Sequence, residues 1–139
     1  KPPHMIRLEH IGIAVRQLED ANALFEQLLG AGPYKEEEVA SEYVKTSFFQ
    51  IGESKVELLE ATAPESAIAK YLEKRGEGLH HVAFEVTDIH AEMERLRAAG
   101  FRLLNEQPKR GADNKLVCFV HPKTANGVLV ELCQTIREE

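Results

Sequence analysis

The 139-residue chain has no tryptophan, two cysteines and two methionines, and aromatic residues make up only 6% of it. So little cysteine excludes a disulfide-stapled scaffold. Cys118 and Cys133 lie in the apolar runs LVCFVH and VLVELCQ, where they read as buried, reduced thiols. No apolar run approaches the ~20 residues of a membrane helix. Nor does a basic segment lead into a long apolar one, so no secretory signal is expected. The setting expected is the cytoplasm, or the mitochondrial matrix in a eukaryote. Basic residues are also short, 17 against 23 acidic ones, a net charge of -6. That balance excludes a nucleic acid or an anionic membrane as the main partner, but not a local basic pocket. Apolar residues at 43% and charged residues at 29% describe an ordinary globular chain. Lys1 to His4, ahead of Met5, read as an expression remnant.

What is present is a repeat. Segment 10–15 reads HIGIAV and segment 81–86 reads HVAFEV. Each is a histidine followed by apolar residues on alternate positions. LEDANALFEQLLG follows the first and DIHAEMERLRAAG the second. Leu18, Ala21, Leu24, Phe25 and Leu28 are expected on one helical face, as are Ile89, Met93 and Leu96. Asp88 is an expected N-cap, and Gly30 and Gly100 are expected stops. Strand-like runs come next, over 43–51 and 54–60 in the first half and over 115–121 and 128–134 in the second. Further short strands are expected near 34–39 and 101–105. Between the halves, TAPESAIAKYLEKR at 62–75 predicts a connector helix with Thr62 and Glu65 as a capping box and Gly76 as its stop. The expected architecture is α+β. Two βαβββ modules pair as a curved sheet around a metal site in one compact domain. Residues 1–5 are the remnant and start, 6–62 the first module, 63–78 the connector helix and 79–139 the second module.

The repeat also aligns chemistry. Each half opens with a histidine, His10 and His81, and closes with a glutamate in its last strand, Glu57 and Glu131. Strand alternation sets Ile11, Ile13 and Val15 toward a helix and His10, Gly12 and Ala14 on the opposite face. Likewise Val56 and Leu58 face a helix and Glu57 faces away, while Val128, Val130 and Leu132 leave Glu131 on the other side with Leu129 and Cys133. Two modules related by a pseudo-twofold axis can bring two histidines and two glutamates together. That mixed nitrogen and oxygen set suits one divalent ion per chain, with Co, Mn, Ni, Zn or Fe all compatible. Two carboxylates balance its charge, and an octahedral shell keeps two positions open. His80, on the opposite face from His81, reads as a packing residue, and His90 as an exposed helix position.

The motifs HIGIAV at 10–15, KVELLEATAPESAIAKYLEKRGEGLHHVAFEV at 55–86 and HPKTANGVLVEL at 121–132 resemble the vicinal-oxygen-chelate superfamily. Within it, they resemble the methylmalonyl-CoA epimerase family, over about Ile6 to Gln134. The resemblance implies a glyoxalase-like fold, with His10, His81 and Glu131 as metal ligands. Glu57 stands where some members carry Gln and others Glu. A carboxylate proposed as a base in some bacterial members matches Thr46 here, so that base is absent, with Glu42 nearby.

The activity implied is interconversion of (2R)- and (2S)-methylmalonyl-CoA. C2 would lose its proton to give a metal-stabilised enolate and regain one on the other face. Glu131 is the expected proton-transfer residue for one face, directly or through a metal-bound water, and Glu57 for the other, with Glu42 or a water as alternatives there. Lys123, Arg110 and Lys115, with Lys109, are the expected cations for the phosphates of an acyl-CoA. Cobalt is the expected metal, a homodimer the expected assembly and propionate metabolism the expected setting. Three other readings use the same fold. A glyoxalase I-type lactoylglutathione lyase shares the ligand set. An extradiol dioxygenase would find Glu57 in the position oxygen needs. A non-catalytic, drug-sequestering module needs no metal and no four matched ligands.

Overall fold

The structure, a computed structural model, describes residues 5–137, so the expected remnant Lys1 to His4 lies outside the described residues. Eleven longer elements run in chain order among them: β1 (Met5–Ala14), α1 (Leu18–Leu29), β2 (Lys35–Val39), β3 (Val44–Ile51), β4 (Ser54–Ala61), α2 (Ala67–Arg75), β5 (Gly78–Val86), α3 (Ile89–Ala98), β6 (Lys109–Gly111), β7 (Lys115–Val120) and β8 (Val130–Thr135). This is the glyoxalase-like α+β fold, with the βαβββ order occurring twice and α2 between the two copies. Backbone contacts divide the chain into two compact units, residues 10–80 and residues 5–9 with 81–137. No helix among the described residues is long and apolar enough to cross a membrane.

In the unit of residues 10–80 the strand order is β2-β3-β4-β1. β1 runs parallel to β4, and β3 antiparallel to both β2 and β4. α1 covers one face, where Val15, Leu18, Phe49 and Leu58 are buried with Ile13, Ala21, Phe25, Leu29 and Val56 against them. α2 covers part of the other, where Ile68 and Leu72 pack on Ala14, Val44 and Leu59. The small side chain of Ala14 therefore makes room for a helix rather than for a ligand.

The buried stripe of α1 differs from the expected one. Leu18, Ala21, Phe25 and Leu29 form it, while Leu24 is 57% and Leu28 68% exposed. At 3.6 residues per turn those two leucines sit roughly a quarter-turn round the helix from the stripe. Gly30 ends α1 in the left-handed region (φ 87°), where a glycine escapes the Cβ penalty, and its N–H donates to Glu26 O.

The start of α2 is also displaced. Thr62 N–H donates to Tyr43 O (2.8 Å), which holds residue 62 at the end of the sheet and away from any helix. The cap is Ser66, whose Oγ accepts from Ile68 N–H at 3.1 Å. Because Ser66 is buried, Ser66→Ala strands a donor that water does not reach. It is expected to cost about 1 kcal/mol, read as a lower midpoint in urea unfolding with an unchanged slope. Gly76 ends the helix as expected, its N–H donating to Leu72 O.

In the other unit the strand order is β5-β8-β7-β6, with β5 parallel to β8 and β7 antiparallel to β8 and β6. α3, capped by Asp88 Oδ1 accepting from Ala91 N–H at 3.1 Å, buries Ile89, Met93 and Leu96 against Val86, Cys118, Val120 and Leu132. Val128, expected on that face, precedes β8 and is exposed. Both cysteines are buried as thiols, and burial pushes the Cys118 thiol up from its ordinary range. The short strand expected near 101–105 is reduced to one bridge between Leu103 and Val120. Asn105 Oδ1 accepts the Phe119 N–H at 2.9 Å, so a side chain takes the place of the next ladder bond. The strand forms instead as β6, four residues further on.

Candidate functional site

In the unit of residues 10–80, Gly12 on β1 lies beside Glu57 on β4, and Phe48 on β3 lies opposite Glu57 from the other side. The period of two then sets His10, Gly12, Glu57, Phe48 and Thr46 on one face. His10 and Glu57 are each only 5% exposed, and His10 Nε2 is 3.1 Å from Glu57 Oε1. The other carboxylate oxygen is also engaged: Thr46, fully buried, donates its hydroxyl to Glu57 Oε2 at 2.8 Å.

The other unit repeats this register. Ala83 on β5 lies beside Glu131 on β8, and Phe119 on β7 lies opposite Glu131. His81 precedes Ala83 by two residues, as His10 precedes Gly12. His81 and Glu131 are 4% and 6% exposed, with His81 Nε2 at 3.2 Å from Glu131 Oε1. The rings of Phe119 and His81 pack at right angles, 5.8 Å between centroids. The match fails at one place. Two residues before Phe119 stands Val117, where the first unit has Thr46.

Each unit thus buries a carboxylate beside an imidazole. A buried carboxylate is costly unless a proton, a hydrogen-bond donor or a cation compensates it. Two donors bound at about 2.1 Å to one ion, at right angles, lie about 3.0 Å apart. The separations of 3.1 and 3.2 Å fit adjacent positions on a divalent ion, and the imidazole–carboxylate set fits its chemistry. His10 with Glu57 and His81 with Glu131 are therefore the residues suited to hold a metal.

The other expected positions fall as follows. Arg110 and Lys123 are exposed, Arg110 donating from Nη2 to Asn114 Oδ1 at 3.1 Å in the β6–β7 turn. Lys109 is half-buried in β6. Lys115, expected at a rim, is instead 7% exposed. Its ammonium donates to Thr135 Oγ1 at 2.8 Å and lies 3.8 Å from the buried Glu9. Glu42 ends a short 3-10 turn, and Tyr43 after it is left-handed (φ 55°), so Glu42 does not continue the alternation of β3 toward Thr46. His80 packs against Tyr71 at 5.0 Å, edge to face. His90 is exposed on α3, and His121 Nδ1 accepts from Lys123 N–H. The Thr46–Glu57 bond went unread in the sequence. Its signal was there: Thr46 shares a face with Phe48, on the strand beside Glu57.

Residues 9–119 match the model of the Glyoxalase/Bleomycin resistance protein/Dioxygenase superfamily. An ethylmalonyl-CoA/methylmalonyl-CoA epimerase of Cereibacter sphaeroides is 43% identical over 130 residues, 92% of this chain and 97% of that protein. The crystal structure of methylmalonyl-CoA epimerase from Mycobacterium tuberculosis superposes with a TM-score of 0.92 at 34% identity, over 96% of this chain and 90% of that one. A methylmalonyl-CoA epimerase solved in complex with methylmalonyl-CoA and NH4+ matches with the same score and identity, over 97% and 98% of the two chains. The relatives just named are methylmalonyl-CoA epimerases, which are isomerases, and the chain belongs with them to the glyoxalase/bleomycin resistance protein/dioxygenase superfamily.

Proposed function

We propose that this chain is a divalent-metal-dependent epimerase that interconverts (2R)- and (2S)-methylmalonyl-CoA. The observation that carries this reading is the pair of buried histidine–glutamate couples, on corresponding registers of two repeated modules and with near-equal donor separations. Relatives of that activity at 34–43% identity support it.

In this reading His10, Glu57, His81 and Glu131 together hold one ion, cobalt by first expectation. When bound, the ion supplies Lewis-acid stabilisation of the negative charge that develops on the substrate oxygens as C2 loses its proton. The chain supplies the proton movement. Glu131 and Glu57 come from matching places in the two modules and serve opposite faces of C2, one taking a proton and the other returning one. Thr46 carries no carboxylate, so the second proton falls to Glu57 rather than to a separate base. The exposed cations Arg110 and Lys123 meet the CoA phosphates. The ammonium of Lys115 is committed to Thr135 and Glu9, and it supports the strands that carry them. The same reading takes the protein to be a homodimer of a cytoplasm or matrix, acting on propionate-derived thioesters. The buried thiols of Cys118 and Cys133 suit a reducing setting.

The test is deuterium exchange. Cobalt-loaded protein in deuterium oxide is given (2R)-methylmalonyl-CoA, and C2 is followed by NMR. Deuterium entering C2 as the 2S form appears, with both lost on chelation, is the expected result. No exchange in metal-loaded protein, with turnover of glutathione plus methylglyoxal instead, would move the chain to the lactoylglutathione lyases.

A further inference from the structure

The two histidine–glutamate couples match in register and burial but not in what stands behind the carboxylate. Glu57 Oε1 is 3.1 Å from His10 Nε2, while Oε2 accepts the Thr46 hydroxyl at 2.8 Å. A hydroxyl hydrogen bond to a carboxylate oxygen fixes the plane of the group and assigns its two oxygens different tasks. Thr46 is well placed to impose this. It is fully buried as the third residue of β3, and its ladder partners Glu37 and Leu59 hold it from both neighbouring strands. As a β-branched residue it has a stiff first torsion, so the hydroxyl is pre-aimed. At the corresponding place in the other module Val117 has a methyl where Thr46 has its hydroxyl.

From this we infer that Thr46 is a positioning residue for Glu57. Its hydroxyl pins Oε2 and turns Oε1 alone toward the ion-binding side, so Glu57 is a one-oxygen donor of fixed geometry. The two carboxylates of the repeat are thereby made unequal. This inference rests on the metal reading above. It goes beyond it in assigning a role to a residue that touches neither ion nor substrate. Partners of this kind, bonded to a metal-ligating group, typically change metal affinity by 10–100-fold when removed.

The experiment compares wild type, Thr46→Val and Thr46→Ser as cobalt(II) proteins. Thr46→Val keeps the shape and removes the donor; Thr46→Ser keeps the donor and loses a methyl. Cobalt affinity is read by competition with a chromophoric chelator and coordination by the visible spectrum, neither of which requires turnover. Thr46→Val is expected to bind cobalt about 10-fold more weakly with a changed spectrum, because Glu57 is then free to rotate or to use both oxygens. Thr46→Ser is expected to return affinity to within about 3-fold and the spectrum to that of wild type. Unchanged affinity and spectrum in a folded Thr46→Val protein would overturn the inference. So would a Thr46→Ser protein as altered as Thr46→Val, since packing and not the hydroxyl would then be responsible. A wild-type protein that takes up no cobalt overturns the metal reading as well. One that binds cobalt yet fails the deuterium test overturns only the substrate, and the comparison of variants still decides the role of Thr46.

Discussion

Glu131→Gln and Glu57→Gln are each expected to slow inversion at C2 by about 10²–10⁴-fold, the usual weight of a positioned proton-transfer group. The sharper expectation concerns exchange without inversion. If each carboxylate serves one face of C2, each variant keeps the group that removes the proton from one epimer and lacks the group that completes inversion. Glu131→Gln should then still wash deuterium into one epimer of methylmalonyl-CoA, and Glu57→Gln into the other. Glutamine preserves size and a ligating oxygen, and at position 57 its amide nitrogen can donate to the Thr46 hydroxyl oxygen while its one oxygen faces the ion. Metal occupancy, checked by cobalt content, should therefore survive at saturating cobalt. The measurement is C2 exchange from each pure epimer in deuterium oxide, with the opposite epimer quantified separately. Loss of exchange from both epimers in one variant, with neither lost in the other, would mean that one carboxylate does all the proton transfer.

Removal of the metal has the second large expected effect. Glu57 and Glu131 are buried carboxylates, and each has an imidazole at 3.1 or 3.2 Å. On the proposed reading, an ion bound by these groups would stabilise the native state alone, by about 4 kcal/mol at a thousandfold excess over its dissociation constant. For a chain of this length that corresponds to a fall in Tm on chelation on the order of 10 °C. C2 exchange should vanish with it and return on adding cobalt. His81→Ala removes one donor and should reproduce the loss of exchange at every cobalt concentration. In the same variant, addition of chelator should no longer move Tm. Persistence of a chelator-sensitive Tm in His81→Ala would show that the stabilising ion sits elsewhere.

The fold was legible because the two halves repeat the same alternation. HIGIAV and HVAFEV each led into a helix with a glycine stop, and the later apolar runs fell on β3, β4, β7 and β8. What escaped the sequence was tertiary. Leu24 and Leu28 have the apolar character of a buried face, but the sheet beneath α1 reaches only the neighbouring stripe. Thr62 and Glu65 have the spacing of a capping box, but Thr62 is held by Tyr43 and the helix starts at Ser66. The strand expected near 101–105 was pre-empted by the side chain of Asn105. At the site, the face of each glutamate followed from the period of two. The depth of Lys115 and the bond from Thr46 depend on which strands become neighbours, and composition and periodicity do not encode that.

The pairing of Gly12 with Glu57 and of Ala83 with Glu131 is fixed by hydrogen bonds between parallel strands, with no loop involved. His10 and Glu57 are 47 residues apart and His81 and Glu131 50, yet the donor separations differ by only 0.1 Å. The extra chain is absorbed in the turns. Such a scaffold separates what must stay constant from what is free to change. Insertions between the strands can reshape the walls that a substrate meets while the donor atoms keep their spacing, so new substrates become accessible by loop variation with the chemistry inherited intact.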